Sequence, residues 1–230
     1  MKVIFLDIET TGIKPTHKHY IWQVAWIVAK QENKTLKLLK AKEKLLLPFG
    51  KKHPKRLFSL IEDLKHAKLM IAHNADFERS FLYEYGIWIP RKNCICTMEK
   101  SKDLCNLKYC IPDYYGWDRH LVFTKYPKLR EAAEILLKEK VDQNQLHDAL
   151  YDVMLTAKIY AYLENLQIDT SSLKVHKQPQ MLKKLYRLLF SPLEPYETIR
   201  QNIKNKLSAP IKTLIKLKDR IKIKEEQLPF

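Results

Sequence analysis

The sequence predicts an α/β fold in which helices flank a central sheet, followed by a basic helical extension. Three strand-like segments lead the chain, and helix-like and strand-like segments alternate after them. A hydrophobic content of 46% is ordinary for a globular protein, and 230 residues suffice for one core with an appendage. A polar stretch near residues 168–180 separates this core from a Lys-rich C-terminal region.

Five segments have the character of strands, because they are short and apolar or rich in strand-forming residues. The second of them, "YIWQVAWIVAK", is rich in aromatic and β-branched residues, which favour strands. The turn-like "QENK" joins it to the third. These patterns predict strands over Lys2–Ile8, Tyr20–Lys30, Thr35–Leu47, Leu69–Ala72 and Asn93–Met98.

Four segments have helical patterns, and Gly86 is well placed to end the second of them. They predict helices over Pro54–His66, Asp76–Tyr85, Leu129–Lys138 and Asp148–Leu163. Residues 101–128 contain two prolines and a glycine and are expected to be irregular. The predicted organisation is a globular domain over residues 1–168, a linker over 169–180 and a basic helical extension over 181–230.

The charge of the chain favours a polyanionic partner. The net charge is +16 and the isoelectric point is near 9.5, so nucleic acid is the natural candidate. From Thr170 onward, fourteen Lys and Arg outnumber five Asp and Glu. We expect the extension to add non-specific affinity for phosphates, the alternative being solvated helix faces packed on the main domain.

Composition also excludes several classes of protein. Only four glycines occur, and they cannot assemble a Gly-rich phosphate-binding loop. No apolar run is long enough to span a membrane, and Asp7 interrupts the N-terminal apolar run, so we expect a cytoplasmic protein without a membrane partner. The spacing of the four cysteines is not typical of a zinc site, so Cys94 and Cys96 are expected to pack as small apolar residues.

The first predicted strand ends in "FLDIETTG", which carries two carboxylates two residues apart. In a strand, residues i and i+2 point to the same face, so Asp7 and Glu9 are expected to project together. Two like charges held side by side repel each other, and a divalent cation between them would relieve the repulsion. The alternative is that both carboxylates are solvated at the strand end.

Two later segments supply further candidates. In "IAHNADFERSFL", Asp76 lies in the first turn of a predicted helix, where an acid also has the structural role of interacting with the helix dipole. In "LHDALYDVMLTA", Asp148 suits an N-cap, whereas Asp152 lies among apolar residues, where an unpartnered charge is costly. His147 titrates near neutral pH and could move a proton, although a histidine at a helix start is usually a surface residue.

Together, these three segments resemble the DEDD exonuclease superfamily, in its histidine-bearing (DEDDh) branch. That branch contains the bacterial replicative proofreading (epsilon) subunits and stand-alone 3′–5′ exonucleases. The segments "QVAWIV", "CTMEKS" and "YPKLREAAEILL" also resemble the parts that stand-alone members carry between the motifs. The similarity covers roughly residues 1–163, with the motifs in the family's order. The tyrosine-bearing branch would need Tyr at position 148, where this chain has Asp.

The resemblance implies a ribonuclease H-like fold with a central mixed sheet, here of five strands. It implies two divalent cations, Mg²⁺ or Mn²⁺, with Asp7 bridging both and His147 accepting the proton of the attacking water. The implied metal ligands are Asp7, Glu9, Asp76 and Asp152. The residues implied to contact the 3′-terminal nucleotide are Glu9, Thr10, Thr11, Asn74, Phe77 and His147.

Two features bear on the protein partners. The epsilon subunits carry a longer region with a His-Gly-Ile element before the second motif, where this chain has "LLLPFGKKHPKRLFSL", which favours a stand-alone or divergent exonuclease. The terminal "EEQLPF" resembles the Q-x-x-L-x-F peptides that bind the sliding clamp, with Leu228 and Phe230 as anchors and Glu225 where Gln is expected. The candidate partners are thus a DNA polymerase subunit and a sliding clamp.

The resulting prediction is a metal-dependent exonuclease that degrades DNA from single-stranded 3′ ends to nucleoside 5′-monophosphates, in replication proofreading or repair. The alternative with the same chemistry is an exoribonuclease acting on short RNA or RNA 3′ ends, because the sequence does not reveal contacts to a 2′-OH. The alternative from another class is a non-catalytic nucleic-acid-binding or replisome-docking subunit. The full set of carboxylates with His147 disfavours that alternative.

Overall fold

The computed structural model of the chain describes residues 1–111 and 121–190. The strands in these residues are β1 (Lys2–Thr10), β2 (Ile21–Glu32), β3 (Thr35–Leu45), β4 (Leu69–Ala72), β5 (Cys94–Cys96), β6 (Lys108–Ile111), β7 (Leu121–Thr124), β8 (Gln167–Asp169) and β9 (Lys174–His176). The helices are α1 (Phe58–Lys65), α2 (Ala75–Glu84), α3 (Thr97–Cys105), α4 (Leu129–Ala132), α5 (Ala149–Leu163) and α6 (Gln180–Phe190). Turns of 3₁₀ helix precede α1 and β5, and a π-helical segment at Ala133–Leu137 continues α4.

β1 lies in the middle of a mixed sheet that has seven strands in the described part of the chain. The strand order is β5-β4-β1-β2-β3-β8, and β9 also pairs with β3. β2 is antiparallel to both β1 and β3, and a two-residue turn joins it to β3, whereas residues 11–20 join it to β1. β4 and β5 are parallel to β1 and follow helical segments. A mixed sheet between helices confirms the predicted ribonuclease H-like fold class.

The two faces of the sheet carry separate apolar cores, and β1 contributes to both. Ile4 and Leu6 point into the core built with α1 and α2, and Phe5 points into the core built with α5. Because side chains alternate along a strand, Asp7 and Glu9 continue the face that α5 covers. The alternation therefore decides which helix the two carboxylates meet.

The turn after β1 is fixed by hydrogen bonds and by a close contact. The Thr10 hydroxyl donates to the Gly12 carbonyl at 2.7 Å, and the Thr11 Oγ1 accepts the Tyr20 N–H at 2.9 Å. A Cβ at position 12 would overlap the ring of His19, so glycine lets this ring lie against the turn. These contacts hold the end of β1, where both carboxylates lie.

Three parts of the fold differ from the prediction. α3 follows β5 directly, in a stretch expected to be the end of a strand and an irregular segment. β6 and β7 form an antiparallel hairpin, also where irregular structure was expected. β8 and β9 both pair with β3 and raise the strand count from five to seven. β9 lies within the segment 169–180 that was expected to be a linker, and β8 ends where that segment begins.

Other expectations can be compared directly with the structure. Cys94 and Cys96 pack against the core on the α1 and α2 side, as predicted. In the part of the chain that the structure describes, each helix is either too short or too polar to cross a membrane. The predicted extension begins with α6, and the terminal peptide with Leu228 and Phe230 lies outside the described residues.

Candidate active site

β1 carries two carboxylates on the face of the sheet that α5 covers. Asp7 is in register with Ala25 of β2, and Glu9 is in register with Gln23. Their spacing of two residues brings both carboxylates to one side of the strand, as predicted. The Glu9 side chain is only 12% exposed, so water screens the repulsion between the two carboxylates only weakly.

α5 contributes the third carboxylate. Asp148 caps this helix by accepting the Leu150 N–H at 3.1 Å, which is the N-cap role expected of it. Asp152, one turn further on, is 5% exposed, and its Oδ2 accepts the His147 N–H at 3.0 Å. Within the described residues its Oδ1 is buried without a hydrogen-bond partner. Such an oxygen is costly unless a cation or another ligand binds it.

His147 lies at the edge of the cluster with a half-exposed side chain. Its φ of 63° is in the left-handed region, which is unfavourable for a residue other than glycine, so the surrounding turn must hold it there. Its Nδ1 lies 3.8 Å from Oε1 of Glu9. One ligand atom from each of Glu9, His147 and Asp152 lies within 4.8 Å of the others, an arrangement that could hold a metal ion.

Burial and mutual repulsion oppose ionisation of these acids. Burial raises the pKa of Asp7 and of Glu9 well above its usual range, and the charge of Asp152 raises both further. Burial likewise raises the pKa of Asp152 to about 7, although the hydrogen bond from the His147 N–H opposes this shift. Burial and the Arg187 guanidinium lower the pKa of His147. The imidazole is therefore neutral at pH 7 and can accept a proton.

The first turn of α2 carries two acids with opposite surroundings. Asp76 is 56% exposed, and its carboxylate binds Arg79 at 2.6 Å and Arg91 at 3.6 Å. Glu78 is 4% exposed, and burial raises its pKa to about 8. Its Oε2 is another buried oxygen that has no hydrogen-bond partner among the described residues.

Glu78, and not Asp76, therefore points toward the carboxylates of β1. The charge of Glu78 raises the pKa of Asp7 and of Glu9, as expected of an acid that lies near them. We therefore propose Glu78, in place of the predicted Asp76, as the fourth carboxylate of the set. A helix turns by about 100° per residue, so two residues at i and i+2 face nearly opposite sides.

The sequence held a signal for Glu78 that the prediction did not use. Glu78 lies three residues after Ala75 and four before Leu82, and both are buried. It is thus a charged residue within the apolar stripe of an amphipathic helix. The same argument had already singled out Asp152 among its apolar neighbours.

The junction between β4 and α2 is fixed by a buried histidine. His73 donates from Nε2 to the Pro127 carbonyl at 3.0 Å, and its Nδ1 lies 3.0 Å from the Thr97 hydroxyl. Burial lowers the pKa of His73 to about 4, so the ring is neutral and can make both contacts. His73 thereby anchors the start of α2, from which Glu78 projects.

The other predicted residues surround the cluster in different ways. Thr10 and Thr11 use their hydroxyls in the turn after β1, which gives both side chains a structural role. Asn74 is the N-cap residue of α2, and its exposed side chain makes no capping hydrogen bond. Phe77 is half-buried, with its ring centroid 4.9 Å from that of Phe81. Of these residues, Asn74 is the most accessible to a bound molecule.

The cluster has the donor chemistry of a divalent-cation site. Carboxylates from β1, α2 and α5 converge in it, and carboxylate oxygens are the preferred ligands of Mg²⁺ and Mn²⁺. Glu78 and Asp152 each direct a buried oxygen that lacks a partner in the described part of the chain. Their like charges disfavour this arrangement unless a cation offsets them. These residues therefore fit bound divalent cations.

Comparison with known families agrees with this geometry. A family model named RNase T and described as exonuclease matches residues 4–160. The matched range begins in β1 and ends within α5, so it contains every carboxylate of the cluster and His147. No curated protein sequence matches the chain. Because the family model covers the greater part of the sequence, the chain belongs to the RNase T exonuclease family of the DEDDh-type superfamily.

Proposed function

We propose that this protein is a metal-dependent 3′–5′ exonuclease that shortens DNA from single-stranded 3′ ends and releases nucleoside 5′-monophosphates. One observation carries the proposal: ligand atoms of Glu9, Asp152 and the half-exposed His147 lie within 4.8 Å of one another, and the carboxylates of Asp7 and Glu78 lie near enough for their charges to interact. Family membership supports nuclease chemistry, and the net charge of +16 supports a nucleic-acid substrate.

The chain's own residues would divide the work as follows. Asp7, Glu9, Glu78 and Asp152 would hold two divalent cations, Mg²⁺ or Mn²⁺. Such cations, when bound, lower the pKa of a water molecule and stabilise the charge that develops on the leaving oxygen. His147 would accept the proton of the attacking water, because burial and Arg187 keep its pKa below the ordinary value.

The finer parts of the proposal rest on the resemblance to proofreading subunits and stand-alone exonucleases. They are the 3′–5′ direction, the preference for DNA, contacts of Asn74 and Phe77 with the terminal nucleotide, and a cytoplasmic role in replication proofreading or repair. A second candidate substrate is RNA, because the matched family carries the name of a ribonuclease. The choice between them depends on contacts to the 2′-OH of the terminal nucleotide.

A gel assay tests the proposal. A 5′-labelled single-stranded DNA and an RNA of the same sequence are incubated with Mg²⁺ or Mn²⁺, with and without EDTA. A ladder of shortened labelled strands that requires metal supports 3′–5′ hydrolysis, whereas release of the label as a mononucleotide at the outset indicates the opposite direction. The faster substrate decides between DNA and RNA. If the protein binds both strands but shortens neither, the result would instead support the non-catalytic binding subunit.

The basic extension is proposed to add non-specific affinity for nucleic acid. The structure refines the deletion that tests it, because α6 at Gln180–Phe190 packs on Trp22 of β2. The deletion should therefore begin at residue 191 and leave α6 in place. We expect weaker binding of single-stranded DNA at low salt, with a shallower dependence on salt concentration. Unchanged binding would contradict this role.

Clamp binding by the terminal peptide is a separate proposal. Leu228 and Phe230 would be the anchors, so Leu228→Ala with Phe230→Ala should abolish retention of the protein on an immobilised sliding clamp. Replacing Glu225 by Gln would bring the peptide closer to the Q-x-x-L-x-F pattern and should strengthen retention. Equal retention of all three forms would contradict the proposal.

A further inference from the structure

The helix α6 lies C-terminal to the residues that the family model matches, yet it contacts Asp148, the N-cap residue of the helix that carries Asp152. Lys183 in this helix has a side chain that is only 9% exposed. Its Nζ lies 2.5 Å from Oδ2 of Asp148 and 3.1 Å from Oε1 of Glu43. A lysine is rarely buried unless it is paired, and here it joins two carboxylates from different elements.

Gln23 and Gln178 complete this buried network. The Gln23 side-chain amide donates to Glu43 Oε1 at 2.5 Å and to Asp148 Oδ1 at 3.2 Å. The Gln178 backbone N–H donates to Glu43 Oε2 at 2.9 Å. The network therefore joins β2, β3 and the start of α5 to the C-terminal segment. Removal of the Lys183 charge would leave the buried Glu43 and the partly buried Asp148 without the cation that pairs with both of them in the described part of the chain, which is unfavourable.

Asp148 links this network to the residues of the site. It follows His147 directly, and its Oδ1 caps α5 through the Leu150 N–H. Its backbone carbonyl accepts the Asp152 N–H at 3.0 Å, and the Asp152 Oδ2 in turn accepts the His147 N–H. The left-handed conformation of His147 thus depends on the turn that it forms with Asp148, and Lys183 binds the side chain of Asp148.

An apolar anchor fixes α6 in this position. Tyr186 and Phe190 pack on the buried ring of Trp22, which is the neighbour of Gln23 in β2. Arg187 lies one turn after Lys183, and its charge lowers the pKa of Glu9, Asp152 and His147. The polar edge of α6 therefore faces the acidic cluster, while its apolar face is held by the sheet.

We propose that Lys183 is a positioning residue of the active site, which holds the turn at His147 and Asp148 so that the imidazole faces Glu9 and Asp152. The inference rests on the proposed function, since it concerns the group that would accept the proton. It adds a C-terminal helix to a site whose other members lie within residues 4–160. Lys183 acts through Asp148 and does not itself touch the reacting atoms.

The test compares two ion pairs in the full-length chain. Lys183→Met removes the buried pair, and Lys158→Met removes an exposed pair with Glu139, 2.6 Å long, on the later part of α5. At saturating Mg²⁺, Lys183→Met should lower kcat roughly 10- to 100-fold while KM for the oligonucleotide stays within about threefold, because a misplaced proton acceptor slows the chemical step. Lys158→Met should retain wild-type kcat. Wild-type kcat in Lys183→Met would overturn the inference.

A second variant keeps the inference testable if Lys183→Met fails to fold. Glu43→Gln combined with Lys183→Met removes one buried acid together with the cation, so it relieves the charge imbalance but still leaves Asp148 Oδ2 without its contact to Lys183. This variant should melt in one cooperative transition, and its kcat should stay as low as that expected for Lys183→Met. A folded double variant with wild-type kcat would overturn the inference.

A metal-free measurement provides an independent readout. The NMR signal of the His147 ring, assigned by its loss in His147→Gln, should shift in both Lys183 variants and stay unchanged in Lys158→Met. An unchanged signal in the Lys183 variants would overturn the inference even if they were slow. Failure of the wild-type protein to shorten any oligonucleotide would contradict the proposed function instead, so the two failures are distinguishable.

Discussion

The same three-residue pattern, an acid on each side of an apolar residue, occurs twice in this molecule with opposite results. In β1, "DIE" places Asp7 and Glu9 on one face, where both meet α5. In α2, "DFE" sends Asp76 to a solvent-exposed ion pair with Arg79 and Glu78 into the interior. The spacing is identical, and only the backbone conformation differs.

This difference shows that spacing alone does not identify a set of ligands. A strand repeats every two residues, so the pattern doubles the charge on one face, whereas a helix splits the same pattern between opposite faces. The site thus takes both acids from β1 and one from α2. This difference in backbone conformation also explains why Asp76 shares the sequence pattern of Asp7 and yet lies at the surface.

The largest loss of activity is expected for a substitution in β1, where both acids of the pattern lie on one face. Asp7→Asn keeps the size of the side chain but removes a charge from the middle of the cluster. We expect the rate of oligonucleotide shortening to fall at least about a thousandfold, because the cation site would lose a central ligand. The melting temperature of the metal-free variant should rise, since one repulsive charge is gone. A variant with more than a tenth of the wild-type rate would contradict the assignment.

The two acids of α2 give the sharpest test of the comparison. Glu78→Gln removes the buried acid, and Asp76→Asn is its matched control two residues away in the same helical turn. We expect Glu78→Gln to lower kcat about a hundredfold or more and Asp76→Asn to change it less than about threefold. The opposite ranking would restore Asp76 as the fourth carboxylate.

Much of the fold was predictable because long, buried elements have a strong pattern. β1, β2 and β3 were predicted within a few residues of their observed ends, as was α5. The strands β6 to β9 were missed because each has only three or four residues, too few for a periodic pattern. The equally short β4 and β5 were predicted from their apolar runs, which polar residues interrupt in β6, β8 and β9. α3 was missed because it follows β5 without a loop, so no turn residues mark its start.

The site was predictable to the extent that local geometry decides it. The strand period placed Asp7 and Glu9 on one face, whereas their meeting with His147 and Asp152 was expected only from the resemblance to the DEDDh exonucleases. To predict Glu78, one had to know which face of α2 packs on the core, and the prediction did not derive this. Lys183 could not be foreseen, because its partners Glu43 and Asp148 are distant in sequence and meet only through tertiary packing.

The stability of the metal-free protein should fall as pH rises, because two buried acids of the cluster, Glu78 and Asp152, have raised pKa values. The pKa of Glu78 is raised from 4.5 to about 8 and that of Asp152 from 3.8 to about 7, so the folded state binds more protons than the unfolded state between these values. The stabilisation is complete below about pH 4 and is lost as pH rises toward 8. Each pKa unit corresponds to about 1.4 kcal/mol, so the unfolding free energy should fall by several kcal/mol.

Thermal melts in EDTA between pH 5 and pH 8 measure this fall. Glu78→Gln should flatten the profile, because it removes the acid whose pKa is raised to about 8. Mg²⁺ should raise the melting temperature more at pH 8 than at pH 5, because a cation replaces the protons that the acids have lost. A melting temperature that rose with pH in EDTA would mean that the acids of the cluster are not desolvated.

The smallest effect is expected for the exposed ion pair of Asp76, and it tests the comparison from its other side. Asp76 and Arg79 are one helical turn apart, and the Asp76 carboxylate is more than half exposed, so solvent screens their attraction. A double-mutant cycle with Asp76→Ala and Arg79→Ala should give a coupling free energy below about 1 kcal/mol that shrinks in 0.5 M NaCl. The cycle is needed because Arg79 also donates to the Ile89 carbonyl at 3.0 Å, and that loss must cancel. A coupling above about 2 kcal/mol that persisted in salt would place Asp76 in a low-dielectric environment like that of Glu78. The helix would then not have separated the two acids, and the contrast with β1 would fail.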